Sequence, residues 1–166
     1  MQSVPLPPRR QRLFWCLTPK PGRPLVFTPL CNKIESAFIH WHLGRSILCT
    51  EADAPGSCEP CLHKRRKMWQ GWLAAGQGQT FAPFVACVSD NAGRFLQALI
   101  DQGSDLRRME VSLHRTQDRA ASKVEVKTVL RVAVPKNLPA AFDVWPSVLH
   151  AMGCQKRQTG LPPNLV

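Results

Sequence analysis

The sequence predicts a mainly β, α+β domain, on three observations. Fifteen prolines interrupt the chain and argue for strands, turns and arms over a helical bundle. Between the breaks, short segments alternate apolar and polar residues with the period of two expected of half-buried strands. Only two segments carry helical spacing, one internal and one near the C-terminus. The 166 residues suit one ordinary domain plus arms, and 44% apolar content suffices for a core. A charged fraction of 20% argues against wholesale disorder.

The elements follow in chain order. Residues 1–23 read as a basic, Pro-rich N-terminal arm, with Arg9, Arg10, Arg12, Lys20 and Arg23 and no acid among them. The apolar patch Leu13-Phe14-Trp15-Cys16 within it is suited to docking on a partner or on the domain itself. The domain proper is expected over 24–152, beginning with a strand at 24–30. A second strand spans 34–42, with Phe38, His40 and His42 on one face and Ile39 and Trp41 on the other. A cysteine-rich insertion at about 40–63 follows, then strands near 68–75 and 81–89. Residues 91–103 read as a helix: Asp90 or Asn91 can cap it, Phe95, Leu96, Leu99 and Ile100 share a face, and Gly103 stops it. Alternating strands follow at 108–116 and 124–134. A closing helix is expected over 138–152, kinked or split at Pro146. Residues 153–166 read as a tail. Five or six strands with these helices suggest a small closed or half-closed β-barrel, for which the five-stranded Greek-key nucleic-acid barrel, the OB-fold, is the natural candidate. An SH3-like barrel or a small sandwich gives much the same pattern.

Twenty-two Lys and Arg against eleven Asp and Glu leave a net charge of +11. That imbalance points to an anionic partner, nucleic acid first. The longest apolar runs span only a few residues, too short for a transmembrane helix, so no membrane partner is expected. The N-terminus has no apolar block of the secretory kind, which leads to the expectation of a reducing cytoplasmic location. The thinly scattered carboxylates disfavour an acid-rich hydrolytic site.

Seven cysteines divide unevenly. Cys16, Cys31, Cys87 and Cys154 stand singly in apolar sequence and read as small core residues. Cys49, Cys58 and Cys61 cluster among turn formers, and in a reducing compartment such a cluster favours a metal over a disulfide. The pair Cys58-Glu59-Pro60-Cys61 can point both sulfurs at one ion. A tetrahedral zinc then needs a fourth ligand. His63 follows Cys61 too closely, so His40 and His42 are the candidates, with a slight preference for His42. Three thiolates and an imidazole close the coordination shell, so this zinc is expected to be structural. A zinc deaminase would need His-x-Glu ahead of Pro-Cys-x-x-Cys, and no His-x-Glu occurs in the chain.

Directly after the cysteines come Lys64, Arg65, Arg66 and Lys67, then Trp69 and Trp72, with Trp41 upstream. Cations that track phosphates beside rings that stack on unpaired bases are the ingredients of single-strand binding. Gly71 would let a backbone or base approach closely. A solvated charge run with the tryptophans in the core is the alternative; three positions apart in one strand, Trp69 and Trp72 face oppositely, so one is expected inside. A second basic zone across the late hairpin includes Arg115, Lys123 and Lys127, partly neutralised by acids and equally readable as a hydrated sheet face.

The order of histidine, Cys-x8-Cys-Glu-Pro-Cys, basic run and aromatic strand over residues 38–75 resembles the zinc-bearing single-stranded-DNA-binding proteins of T-even phages. That resemblance implies an OB-fold barrel with an inserted Cys3His zinc subdomain and a basic, aromatic cleft for unpaired DNA. It implies zinc ligation by Cys49, Cys58, Cys61 and either His40 or His42. It places strand contacts around Lys64, Arg65, Arg66, Lys67, Trp69 and Trp72. The chain departs from that family in having no tyrosine and in its basic stretch Gln155-Lys156-Arg157.

The leading expectation is thus a non-enzymatic single-stranded nucleic-acid-binding protein, DNA favoured and RNA allowed, with a structural zinc. The alternative is an accessory subunit of a larger phage, mobile-element or defence nucleoprotein complex. Such a subunit would grip guide RNA or displaced DNA and dock on a larger protein through Leu13, Phe14 and Trp15. An enzyme ranks last, since no Walker loop, carboxylate cluster or Ser/His/Asp arrangement is visible.

Overall fold

A computed structural model describes residues 12–153. Eight strands form one mixed sheet, in chain order β1 (Cys16–Leu17), β2 (Leu25–Pro29), β3 (Glu35–His42), β4 (Arg45–Leu48), β5 (Met68–Gln77), β6 (Ala82–Ser89), β7 (Met109–Arg115) and β8 (Val124–Leu130). Three helices accompany them: α1 (Glu59–Leu62), α2 (Asp90–Asp101) and α3 (Trp145–Ala151). The main path runs β1-β6-β5-β2-β7-β8, with β3 pairing β5 and β4 pairing β3. The path does not close on itself. The expected mainly β, α+β class is found, but the hydrogen-bonded ring of a closed barrel is not. Strand β8 pairs only β7, and α2 packs against β5, β6 and β8.

Strand β5 organises the molecule. Residues 71–76 are all buried because the sheet carries a core on each face. Leu73 and Ala75 join Phe27, Phe84, Val111 and the α2 residues Ala92 and Leu96. Trp72 and Ala74 point the other way, into a cluster with Ile39, Val85 and the α3 residue Val148. A strand covered on both sides reads as a continuous apolar run instead of an alternating one.

The described part of the expected arm, from Arg12 onward, lies against the domain. Phe14 stacks on Phe142 with ring centroids 3.9 Å apart, and its backbone N–H donates to Ser147 Oγ at 2.9 Å. Strand β1 pairs in parallel with β6, and the N–H of Val85 donates to the carbonyl of Trp15 at 2.8 Å. The apolar patch therefore docks on its own domain, Trp15 excepted, which is 82% exposed.

Three boundaries differ from expectation. The closing helix spans only Trp145–Ala151, with Pro146 in its first turn and not at a kink. Proline lacks an N–H and clashes with the carbonyl four residues back, so it starts this helix and cannot sit inside a longer one. Strand β8 ends at Leu130, short of residue 134. Part of the expected cysteine loop is itself a strand: Arg45–Leu48 folds back on β3 through Leu43 and Gly44, both at positive φ (49° and 79°). Two consecutive left-handed residues give a turn whose twist matches a hairpin.

Candidate metal centre and basic cleft

The β3–β4 hairpin and α1 bring the metal-ligand candidates together. Cys49 follows β4, and its N–H donates to the Phe38 carbonyl at 2.8 Å, which sets it beside Phe38 on the neighbouring strand. Cys58 precedes α1 and Cys61 lies within it; the N–H of Leu62 donates to the Cys58 carbonyl at 3.1 Å, closing the turn that points both sulfurs inward. Pro60, in the first turn, fits without a missing bond.

Ligand atoms of His40, Cys49, Cys58 and Cys61 lie within 4.8 Å of one another, so this group could hold a metal ion. The Cys49 and Cys61 sulfurs are 3.6 Å apart, and Cys61 Sγ is 3.3 Å from His40 Nε2. Metal–sulfur bonds of about 2.3 Å in a tetrahedron separate two sulfurs by about 3.8 Å, close to what is seen. Only His40 of the two candidate histidines belongs to the cluster. The preference for His42 is corrected by register: His40 lies two residues along β3 from Phe38, while His42 lies four along, opposite Arg45 at the hairpin end. At about 3.3 Å per residue, His42 is roughly 13 Å from the strand position beside Cys49. His63 is exposed and outside the cluster, as its spacing implied.

The imidazole is also oriented. His40 is fully buried, and its Nδ1 lies 3.0 Å from the carbonyl oxygen of Arg66. A carbonyl only accepts, so Nδ1 donates and the Nε2 lone pair is left facing the sulfurs; such outer partners fix a metal-binding tautomer. The thiols shift one another's ionisation. Burial, hydrogen bonding to Cys49 and Cys58 and repulsion between them push the Cys61 thiol up to about 12. Burial also opposes ionisation of Cys58, but hydrogen bonds from the backbone of Cys61 and Thr50 and from the Cys61 and Cys49 side chains together hold its pKa below the ordinary thiol value. Three thiolates this close coexist only around a positive charge.

Beyond Arg66, the chain enters β5 along the wall of a cleft of about 880 Å³. One side is the end of the metal loop, with Arg66 and Lys67; the other is the β7–β8 connection, with Arg115 and Lys123. Arg94 of α2 completes five cations, against a single acid, Asp90, with which Arg94 pairs at 2.7 Å. The floor is formed by the ends of β5 and β6, and Phe38 and Trp69 supply aromatic rings.

The expected contact residues divide accordingly. Arg66, Lys67, Trp69 and Arg115 line the cleft, whereas Lys64, Arg65 and Lys127 are exposed outside it. Arg115 is already engaged, donating to the carbonyls of Pro19 at 2.8 Å and Ser122 at 2.9 Å. Trp72 is corrected as a contact: it is 2% exposed and packs 5.5 Å from Trp145, so it cannot offer a face to a base. Trp41 is 61% exposed but on the face of β3 opposite Phe38. Gly71 makes room for Trp69 and not for a ligand. A Cβ there would lie 2.5 Å from the Trp69 ring, and one at Gly93 would lie 2.3 Å from it. The indole is thus clamped between β5 and α2 and is half-buried at the cleft. Sequence reasoning missed Arg94, read only as part of a helix, and Phe38, read only for the face it shares with the histidines.

Of the single cysteines, Cys16, Cys31 and Cys87 pack against the second core and Cys154 lies outside the described residues. Among the described residues no helix is long and apolar enough to cross a membrane. Comparison with protein-family models, curated proteins and solved structures gives no match to this chain.

Proposed function

We propose that this chain is a non-enzymatic, cytoplasmic single-stranded nucleic-acid-binding protein, built on an OB-like half-barrel and braced by a structural Cys3His zinc. The cleft carries the reading: five cations face one paired acid over a β-sheet floor flanked by exposed ring surface. Polyanion binding needs the cations, and rings that receive bases need those bases unpaired.

The connectivity supports the OB-like assignment. Counting β2 and β3 together as the first strand, it pairs β5 and β7; β5 pairs β6, α2 intervenes, and β7 pairs β8. This order is compatible with the Greek key of a five-stranded OB barrel left open between β6 and β8. OB-folds bind oligonucleotides on the second and third strands, between the loop after strand one and the loop joining strands four and five. Here those are β5 and β6, the metal loop and the β7–β8 connection, the surfaces that line the cleft. Zinc is favoured by three thiolates and one imidazole in a closed tetrahedral set, with no position for substrate water.

Fluorescence anisotropy on labelled single-stranded DNA, single-stranded RNA and duplex DNA tests the function. Tight binding of single strands with weak duplex binding is expected; equal or absent binding of all three would end this reading. Neutralising Arg66 and Lys67 together is expected to flatten the plot of log affinity against log salt by about 1.4 units, at about 0.7 per contact. The same treatment of Lys64 and Arg65, outside the cleft, is expected to change it less.

The accessory-subunit reading has one observation in its favour, the 82% exposure of Trp15 beside a docked Phe14. An isolated chain that binds short strands tightly, with no loss on Trp15→Ala, counts against it.

A further inference from the structure

Phe38 stands out on β3. Its neighbours Ile39 and His40 are buried, yet Phe38 is 51% exposed at the cleft. The backbone beneath that ring is held from both sides. On one side the Cys49 N–H binds its carbonyl at 2.8 Å; on the other, β5 pairs Phe38 directly with Trp69. A large apolar ring fixed in water among cations is not core packing, since the clamped Trp69 already fills the space between β5 and α2. One group does cover it: the Lys67 ammonium lies over the ring, 5.6 Å from its centroid.

We propose that Phe38 is the platform on which an unpaired base stacks, and that Lys67 covers the ring face until a strand arrives. The proposal rests on the cleft being a nucleic-acid site and says which residue makes that site respond to bases as well as phosphates. An exposed ammonium–ring contact is weaker than a base stacked on the same ring, so the exchange runs toward the base. The displaced ammonium stays in the cleft beside the backbone of that nucleotide, where it neutralises a phosphate. Base recognition and charge neutralisation thus occupy adjacent side chains, Phe38 and Lys67. The ring has no hydrogen-bonding group, so the platform takes any base and gives preference for unpaired strands without reading their sequence.

The test uses the full chain and two probes, a short oligothymidylate and the same oligomer with its bases removed. Phe38→Ala is expected to weaken binding of the base-bearing strand by about 5- to 150-fold, the range of one lost stack, with an unchanged salt slope. The abasic oligomer is expected to bind wild type and Phe38→Ala alike. Phe38→Trp is expected to keep the base dependence, and Lys67→Met to flatten the salt slope while keeping it. Retained metal content and thermal midpoint identify variants that fold. Equal affinity of Phe38→Ala and wild type for the base-bearing strand overturns the proposal, as does an equal loss on the abasic oligomer. Failure of wild type to bind either oligomer overturns the reading of the cleft itself, a result distinct from binding that ignores Phe38.

Discussion

Residues 52–57 of the metal loop are all exposed, while residues 71–76 of β5 are all buried. The two stretches are separated by only thirteen residues, and each is held differently. Strand β5 has an apolar core on both faces and ladders on both edges. The loop has three of the four candidate ligand side chains, a short turn of helix and a few local hydrogen bonds, among them Ala54 N–H to the Thr50 carbonyl and Gly56 N–H to Glu51 Oε1. Burial fixes the first; the second has instead a cluster of side chains that could hold a shared ion. Yet Arg66 and Lys67, the cleft residues beside Phe38, stand at the junction of the two. The cleft therefore draws one wall from each kind of structure.

The largest effect that would break the comparison is removal of a ligand. Cys58→Ser, or chelation, is expected to reduce metal content from one ion per chain to none. It should release the loop, since thiolate-site binding energies are about 10–16 kcal/mol in zinc-finger peptides. Hydrogen exchange across 45–66 should rise sharply while the buried part of β5 stays protected. Cys16→Ser should cost only about 1 kcal/mol, an ordinary packing change. Equal thermal stability of the two variants, or full protection of the loop without metal, would remove the distinction.

The reciprocal variant is next in size. Trp72→Ala should destabilise the sheet by about 3–5 kcal/mol in denaturant unfolding, as for other large buried aromatics, with metal still bound in the native state. Little loss of stability would mean that β5 is not held by its core. The smallest effect sharpens the comparison within the sheet half, where a polar contact is expected to matter little. The side chain of Asp105 accepts the Arg107 N–H at 3.1 Å at the 3-10 turn Leu106–Arg108. Hydrogen bonding to Arg107 holds the Asp105 carboxyl below its usual range, against an opposing effect of burial. A depressed folded pKa gives stability that is present above the unfolded carboxylate value and lost as pH falls through the folded one. Asp105→Asn is thus expected to cost about 0.5–1 kcal/mol at neutral pH, shrinking toward zero in acid. A penalty that grows in acid would contradict the assignment.

What could be read from the sequence follows the same division. The cysteine cluster is legible because its ligands lie close along the chain and the Cys-x-x-Cys turn is local geometry. The choice between His40 and His42 is not, because both share a strand face and only the pairing with β4 sets which one faces Cys49. Strand β4 was hidden inside the loop by its length of four residues. Period-two alternation correctly separates Trp69 from Trp72. It cannot say which one is fully enclosed, since that depends on α3 bringing Trp145 against the Trp72 ring. The cleft is the least legible feature. Phe38, Arg94 and Lys123 come from a strand, a helix and a turn far apart in the chain, and no local pattern marks their convergence.

Strand β1 has a consequence of another kind. The outer edge of β6 carries backbone donors and acceptors that a second polypeptide could pair with, and bare sheet edges are templates for self-association. Two residues of parallel ladder and the Trp15 carbonyl occupy part of that edge from within the same chain. The segment thereby acts as a guard against edge-to-edge growth. Sticking between copies, more than loss of fold, is the failure to expect when residues 12–17 are cut away.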